Sequence, residues 1–548
     1  MKYLQPALVL MLTLCVLTTT AQYQKKIDKA DEKYESGDYS SARKEIEKMK
    51  KKATKSLGYE NPYNAIGLIK QAKINVGLGE LVSVMVPLEE GVAMSEKVNG
   101  AESTEHAFIL MEASEVLISY GNFKLANEYI ENAAKAFEAS GSMIEDIKAA
   151  LDVQRAQVLL GKGFYKGAIK LVDRQSDYYL QRALTASGDK GQQQERKEEF
   201  AKMMIVKANS FRKMGNYQSA DSAFIANLQW VEDNLKKSHL LWAENAFLNA
   251  KLLEENGLGV EAQAKLYEDA YIWAVRKYDL SHNTVMTVQA DLMRAYYRNG
   301  QNARLKITKA DFKKSLKEFD KTSIFNLAED KMDLTFDLAD QDIKKMENKI
   351  NQLLASPTIP EFHKERIALL ELAEQIALFS GNYKNTEKYD NEVLKIKEFL
   401  LGSDAPEYHL TKTKIANYYV DFTDKFSEAK QIYDESFHGI VEPEITKGHV
   451  DYLEIMNHLA KFYEETDNYS KASEILDDGL LAARVKYDNE DIEYGKELEK
   501  IAGLQINIGE YEKATDNLEA AIEIMESTKT DESKSYLASA FVTKAKLL

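Results

Sequence analysis

The sequence repeats a short pattern about every 42 residues, and this period predicts a chain built from copies of one structural unit. The pattern is a glycine or aspartate, usually followed two positions later by an aromatic residue. The first four copies begin at Gly37, Gly79, Gly121 and Gly163, so each step is 42 residues. The later copies begin at Gly215, Gly257, Gly300, Gly381, Asp424, Asp467 and Gly509. The longer step before Gly215 contains a polar insertion, Ser187–Glu198.

Small residues stand at two fixed distances from that glycine. Seven positions before it are Ala30, Ala72, Ser114, Ala156, Ala208, Ala250, Ala460 and Ala502. Five positions after it are Ala42, Ala126, Ala168, Ala220, Ala262, Ala429, Ala472 and Ala514. A left-handed backbone conformation costs little free energy only in a residue without a Cβ, so the glycine is expected to end one helix. The alanines are small enough to let the axes of the two helices approach to roughly 8–10 Å. The pattern predicts antiparallel helix pairs, with the recurrent aromatic ring packed beside the alanines.

The small–glycine–small spacing resembles the tetratricopeptide repeat, a helix–turn–helix unit that usually has about 34 residues. The unit here is longer by about one turn per helix, which resembles the 42-residue variant of kinesin light chain and its bacterial relatives. The connectors Leu57–Pro62 and Leu401–Pro406 resemble that variant's Leu-Gly-x-Asp/Glu-x-Pro segment, and Asn457–Tyr463 resembles its following helix. The resemblance implies an all-α, right-handed superhelical solenoid of about 12 antiparallel helix pairs.

Residues 1–21 have the layout of a secretory signal peptide: a lysine, the apolar segment 7–17 and then small residues. Lipidation at Cys15 is the alternative, and the bulky Leu14 before it argues against a lipoprotein signal. Cleavage would leave a chain that begins at Gln22 and contains no cysteine. We therefore expect an exported protein, periplasmic or secreted, that does not insert into the membrane once the signal is removed.

The repeat columns divide the remaining chain into three parts. Residues 22–302 form an N-terminal array of repeats, and residues 361–548 form a C-terminal array. Between them, in residues 303–360, the glycine and alanine columns fade and Ser356–Pro360 interrupts the helical pattern. That stretch is either a joint or a degenerate repeat. The C-terminal array is expected to end in an incomplete repeat, because residues 536–548 have the pattern of a first helix only.

Composition and motifs argue against several classes of function. The formal net charge of −16 opposes binding to nucleic acid phosphates. The eight histidines include no pair spaced to bind a metal from one helix face, so we interpret them as surface or interhelical residues. The Gly161–Gly163 triplet falls on the turn column and is better explained there than as a phosphate loop. We expect no catalysis, cofactor or metal site.

Candidate ligand contacts lie one residue after the first small column, because in the resembled family this row of the first helices lines a concave groove. The basic and amide residues of the row are Lys73, Asn209, Lys251, Arg294, Asn417 and Lys461. Arg212 and Tyr297 lie one helical turn further along and would face the same groove. In an acidic chain, these side chains predict a groove for an extended or helical peptide that bears carboxylates. The alternative is an ordinary solvated helix face.

These observations favour an exported scaffold that binds a protein or peptide partner through its groove and catalyses nothing. The alternative is the sensing, regulatory arm of a longer protein. In bacterial proteins with similar repeats, the array often precedes an effector such as a CHAT protease-like domain or a signalling kinase. The two hypotheses differ in whether the reading frame continues beyond Leu548.

Overall fold

The computed structural model describes residues 19–547 except 186–189, 258, 277, 329, 332–333, 335–341, 488 and 529–530. These residues form twenty-four α-helices and, within the described ranges, no β-strand. The prediction of an all-α solenoid of helix pairs is confirmed. None of the described helices combines the length and the apolar character that a membrane crossing requires.

Most repeats contribute a first and a second helix. The first helices are α1 (Thr19–Ser36), α3 (Pro62–Gly77), α5 (Thr104–Tyr120), α7 (Glu145–Lys162), α9 (Lys190–Lys213), α11 (Leu240–Glu255), α13 (Asn283–Arg298), α16 (Lys364–Phe379), α18 (Pro406–Phe422), α20 (Tyr452–Glu465), α22 (Ile492–Asn507) and α24 (Asp531–Ala545). The second helices are α2 (Tyr39–Leu57), α4 (Met85–Asn99), α6 (Phe123–Ala139), α8 (Tyr165–Leu184), α10 (Tyr217–Asn234), α12 (Val260–Ala274), α14 (Asn302–Ser315), α15 (Ile343–Leu354), α17 (Tyr383–Leu401), α19 (Phe426–Ile432), α21 (Tyr469–Lys486) and α23 (Tyr511–Thr528). Within the described residues, α15 has no first helix of its own and α24 has no second helix.

The turn between the two helices of a repeat has the backbone conformation that the sequence predicts. Gly121, for example, ends α5 with φ 98°, and its N–H binds the Leu117 carbonyl. Asp467 takes the same role with φ 58° in place of a glycine. The prediction fails at Asp424, because Lys236 and Asp467 are the non-glycine residues with positive φ among those that the structure describes.

The two small columns form the contact between paired helices. The first column is buried throughout, with exposed fractions of 0–2% from Ala30 to Ala502. The second column is also buried, except that Ala262 is exposed and Ala264 takes its place. The prediction for Ala262 was wrong because α12 begins three residues after Gly257, whereas the second helices whose small residue keeps its place begin two residues after theirs. The core position therefore moves two residues along the chain.

The recurrent aromatic residue packs as predicted only in the early repeats. Tyr39 is 2% exposed, and its ring packs on Gly77, where a Cβ would lie 2.6 Å from the ring. The Phe123 ring packs on Gly161 in the same way, which explains that glycine without a phosphate. In later repeats the ring is exposed, by 42% at Tyr383, 47% at Tyr469 and 59% at Tyr511. Those repeats have larger residues, such as Phe422 and Asn507, where the early ones have glycine.

The stretch 303–360 contains α14, two short 3₁₀ helices at Leu316–Glu318 and Ile324–Leu327, and α15. Ser323 caps the second 3₁₀ helix by accepting the Phe325 N–H at 3.3 Å. His282 and His363 cap α13 and α16, so the three caps stand 41 and 40 residues apart. The capping positions thus keep the repeat step across this stretch.

The described chain separates into two compact units. Compact unit 1 comprises residues 1–210, 221–251 and 260–403, and compact unit 2 comprises residues 211–220, 252–259 and 404–548. The predicted arrays, 22–302 and 361–548, are defined by sequence columns and stay a prediction. Residues 1–18 of the predicted signal peptide lie outside the described residues.

Early turns contact the connector segments that precede first helices six repeats later. In compact unit 1 the Asp279 N–H binds the Ser36 carbonyl at 3.2 Å, and the Ile324 N–H binds the Gly79 carbonyl at 2.9 Å. Lys364 Nζ binds the Ser119 carbonyl at 3.1 Å. We call these three pairings the turn–connector contacts. They close one superhelical turn of six repeats within compact unit 1.

A pairing of the same kind occurs within compact unit 2. The Thr446 N–H binds the Met214 carbonyl at 2.8 Å, and the Gly448 backbone lies against Gly215. This connector follows a π-helix, Tyr433–Val441, which continues α19 and which no sequence signal predicted. It also contains His449, which caps the segment before α20 through the Asp451 N–H.

Candidate binding groove

Five consecutive first helices, α1, α3, α5, α7 and α9, line one recess in compact unit 1. Its cavity volume is about 230 Å³. The lining residues are Tyr34, Lys73, Val76, Glu115, Val116, Ile118, Ser119, Gln157 and Lys202. Because helices from five successive repeats meet at one recess, the surface of the first helices is concave here. Lys73, Glu115 and Gln157 belong to the row that follows the small column, so the structure brings this part of the row together.

Charges of both signs surround the recess. Lys73 Nζ lies 4.0 Å from Glu115 and 5.2 Å from the centre of the Tyr34 ring. Burial disfavours the Lys73 cation, but Glu115 and Glu112 outweigh that effect, so the pKa of Lys73 is raised. Lys202 is exposed on the opposite side of the recess. The recess therefore offers two lysines, and both have carboxylate neighbours: Glu115 is next to Lys73, and Glu198, Glu199 and Glu244 interact with Lys202.

A buried ion triad supports this wall of the recess from behind. Lys70 is 6% exposed and lies 2.9 Å from Asp31 and 2.5 Å from Glu112. Burial opposes its charge, and the two carboxylates outweigh burial, so the pKa of Lys70 is raised. A carboxylate on each side is what a buried cation needs. Lys70 is therefore a structural residue of the groove wall.

The other predicted groove residues are engaged by groups of the chain itself. Lys251 Nζ lies 3.0 Å from Asp291, and Arg294 also pairs with Asp291. Arg212 is buried and pairs with Glu255. Lys461 pairs with Asp421 at 2.8 Å. Asn417 Oδ1 accepts a hydrogen bond from the Tyr433 hydroxyl at 2.9 Å. Asn209 and Tyr297 are half-buried, and neither lines the recess.

These ion pairs share one geometry, which we call the inter-repeat ion pairs. Lys73 with Glu115, Arg212 with Glu255, Lys251 with Asp291 and Asp421 with Lys461 each join residues 40–43 positions apart, hence first helices of adjacent repeats. Sequence reasoning selected the cations and overlooked their carboxylates. The signal was present, because Glu115 stands in the same row as Lys73. A peptide carboxylate would have to compete with these internal partners.

One inter-repeat pair in compact unit 2 includes a histidine. His458 Nε2 lies 2.9 Å from Asp421, which also pairs with Lys461. Burial lowers the pKa of His458, but the hydrogen bond and charge of Asp421 outweigh it, so the pKa is raised. The pKa of Asp421 is lowered, since His458 and Lys461 outweigh the effect of burial. The arrangement has the character of a stabilised ion pair.

Metal ligation finds no support in the side chains that the structure describes. Within those residues, no group of three or more histidine, cysteine, aspartate or glutamate side chains is placed to hold a metal ion. What the groove offers chemically is hydrogen bonding, charge and a few apolar contacts.

Comparison with solved structures finds matches of low sequence identity, among them two structures of Rap proteins. A Rap protein in complex with the competence and sporulation factor is 12% identical, with a TM-score of 0.46, and the match covers 69% of this chain and 99% of that chain. The apo form of RapI is 11% identical, with a TM-score of 0.38, and the match covers 69% of this chain and 98% of that chain. No family model and no curated protein matches the chain.

Proposed function

We propose that this protein is a non-catalytic scaffold that binds a peptide segment of a partner along the first helices of compact unit 1. The observation that carries the proposal is the recess at which five first helices meet. A cavity of about 230 Å³ suits one or two side chains of a bound segment, whereas drug-sized ligand pockets have about 300–1,000 Å³. The segment would extend along the row of first helices and place a side chain in the recess.

The charges of the recess favour a segment with a carboxylate beside an apolar side chain. Lys202 is exposed and belongs to none of the four inter-repeat ion pairs named above, although its charge also acts on Glu244, so a bound carboxylate would share this lysine with Glu244. Val76, Val116 and Ile118 offer apolar contact on the wall next to Lys73. A charge-assisted hydrogen bond contributes more than a neutral one, so Lys202 is the residue on which recognition would depend most.

The same proposal includes export through residues 1–21 and a protein partner outside the cytoplasm. The layout of those residues supports it. The check is N-terminal sequencing of the protein recovered from the cell envelope or the medium. We expect Gln22 as the first residue, and an intact Met1 would contradict export by cleavage.

The binding site can be tested with displayed random peptides selected on the mature chain. Binding of the selected peptides is then compared by fluorescence anisotropy for the wild type and Lys202→Glu. We expect at least about a tenfold loss of affinity, because a charge-assisted hydrogen bond contributes roughly 1.5–3 kcal/mol and the new carboxylate repels the ligand.

Lys97→Glu is the matched control. Lys97 is also an exposed lysine, but it lies on the second helix α4 and pairs with Glu60 at 2.6 Å. It should not change peptide affinity. Equal binding by Lys202→Glu and the wild type, with circular dichroism showing both folded, would place the binding surface elsewhere.

A further inference from the structure

Two of the turn–connector contacts in compact unit 1 contain a buried histidine that caps a helix. His282 is 6% exposed, and its Nδ1 accepts the Thr284 N–H at 3.2 Å. His363 is 1% exposed, and its Nδ1 accepts the Glu365 N–H at 3.1 Å. Histidine is an uncommon choice here, since serine, threonine, asparagine and aspartate are the usual N-cap residues. Ser323, at the connector between them, performs the same cap with an oxygen.

Each ring also fills the space between its connector and the earlier turn. The His282 ring lies 6.0 Å from the Tyr39 ring and 5.4 Å from the Tyr278 ring. A Cβ on Gly37 would lie 2.9 Å from the His282 Cβ, so the turn and the connector are in direct contact. The His363 ring lies 4.4 Å from the Tyr120 ring, edge to face. Both histidines therefore join helix capping to the closure of the superhelical turn.

The observed hydrogen bonds require neutral imidazoles. A ring nitrogen that accepts a backbone N–H holds a lone pair and no proton. Protonation of Nδ1 would turn this acceptor into a donor that faces another N–H. It would also place a cation at a helix N-terminus, where the partial charge is already positive. The closed contact is thus compatible with only one protonation state of each histidine.

Neighbouring charges do not rescue the cation. Around His282 the nearby ionisable groups are Asp279, Tyr39 and Tyr278, and only Asp279 favours protonation. Burial outweighs it and lowers the pKa of His282 to about 4.

His363 is in a similar position. Burial is again the largest effect, and Lys364 and Lys331 add to it. Glu365 and a hydrogen bond with the Tyr120 backbone oppose these effects but are outweighed, and the pKa of His363 is lowered to about 4. The Tyr120 ring faces it from α5.

We propose that His282 and His363 form an acid-released clasp, which holds the six-repeat turn of compact unit 1 closed at neutral pH and opens it on protonation. The proposal stands apart from peptide binding. The neutral rings and their caps are present in the closed form, and the released connectors would leave the histidines in solvent.

The direction and the pH range of the opening follow from the linkage between protonation and the stability of the closed form. The pKa of each histidine is lower when closed than its ordinary value of 6.5, so the clasp is fully stable above about pH 6.5. Closure weakens as the pH falls from there towards 4, because the open form takes up protons first. A difference of about 2.5 pKa units changes the ratio of open to closed forms by about two orders of magnitude per histidine.

Hydrogen exchange at the Asp279 and Ile324 amides tests the clasp, because each donates to a carbonyl of an earlier turn. After correction for intrinsic rates, we expect protection of these amides to fall at least about a hundredfold between pH 7 and 4.5. Far-UV circular dichroism should stay constant over that range. Helix loss that coincides with the loss of protection would mean general acid unfolding and would overturn the proposal.

The decisive variant is His282→Ser with His363→Ser, since Ser323 shows that serine caps this position. It should match the wild type at pH 7 and keep its protection at pH 4.5. If the double variant loses protection at the same pH as the wild type, carboxylates rather than the two histidines cause the opening, and the proposal is wrong. His458→Gln, in compact unit 2, is the control and should leave the exchange of Asp279 and Ile324 unchanged.

An NMR titration of the wild-type imidazoles covers the case in which the double variant does not fold. Both histidines should titrate below about pH 5, as expected for buried, neutral caps. Titration near 6.5 would show that the closed form tolerates the cation, and the proposal would be wrong.

Discussion

At the scale of single residues, two glycines of compact unit 2 show how closely backbone approaches backbone. A Cβ on Gly215 would lie 2.2 Å from the backbone nitrogen of His449, and a Cβ on Gly448 would lie 2.4 Å from the carbonyl oxygen of Gly215. Gly215 also has φ 85°, so it serves both as turn residue and as contact surface. The 42-residue period identified Gly215, but nothing in the sequence distinguished Gly448, because its partner is more than two hundred residues away.

Gly448→Ala should destabilise compact unit 2. The added methyl group would overlap the backbone of Gly215, which a change of side-chain rotamer cannot relieve. We therefore expect the free energy of unfolding to fall by about 1–3 kcal/mol. Chemical denaturation monitored by circular dichroism measures it. Gly503→Ala is the matched control: Gly503 lies in α22 with its nearest neighbour at 4.0 Å, so alanine should be neutral or stabilise by up to about 1 kcal/mol. Equal effects of the two changes would contradict the contact.

His458 predicts a pH dependence opposite in sign to that of the clasp. Its pKa is raised above 6.5 by Asp421, so the stabilisation is fully present below pH 6.5 and is lost as the pH rises through the folded pKa. The buried His449 of the same unit has a lowered pKa and acts in the opposite direction, so the wild type is compared with His458→Gln. Between pH 6 and 8 the melting temperature of the wild type should fall relative to that of the variant. An equal pH dependence of the two proteins would exclude this ion pair as a source of stability.

At the scale of elements, the repeat pattern predicted the helix pairs but not every register. The glycine and alanine columns marked the turns and the helix contacts because close helix packing admits few residue types. At α12 the second column moves from Ala262 to Ala264, since a second glycine, Gly259, delays the start of the helix. The π-helix Tyr433–Val441 was also missed, because π-helices are rare and the glycine and alanine columns do not show whether a segment closes i→i+4 or i→i+5 hydrogen bonds.

The two alanines of α12 test that register directly. Ala264 is 3% exposed and packs against its partner helix, so Ala264→Leu should cost about 1–3 kcal/mol through overpacking. Ala262→Leu lies on the exposed face and should stay within about 0.5 kcal/mol of the wild type. Thermal denaturation of both variants measures the difference. The opposite order would restore the register that the columns first predicted.

The groove was predictable in part for the same reason. The row after the small column contains Lys73, Glu115 and Gln157, which the structure gathers around one recess. Lys202 and Tyr34 were missed because neither belongs to that row: Tyr34 lies three residues after the row position of its repeat, and Lys202 lies seven residues before Asn209. The carboxylates that pair with the predicted cations were missed because the row was read for one sign of charge. The predicted binding role of the row stays a prediction.

At the scale of each compact unit, contacts between distant repeats were beyond the sequence pattern. A repeating sequence pattern predicts the contacts between adjacent repeats. It does not predict contacts between repeats that meet after a full superhelical turn. The capping residues His282, Ser323 and His363 were the available signal, since they form a column of their own. They were interpreted singly, as surface or interhelical histidines, and so their common role was not recognised.

The insertion Ser187–Glu198 has a consequence for how this fold tolerates changes in length. The three turn–connector contacts of compact unit 1 join residues 243–245 positions apart, as from Ser36 to Asp279, and their spans include the insertion. The contact from Gly215 to His449 does not include it and spans 234, about ten fewer. The contacts that close the superhelical turn therefore form between repeats six units apart, whatever the number of residues between them. Residues 190–198 of the insertion lie in α9, which has 24 residues, so a first helix can lengthen without loss of these contacts, whereas loss of one whole repeat would place every later connector against the wrong turn.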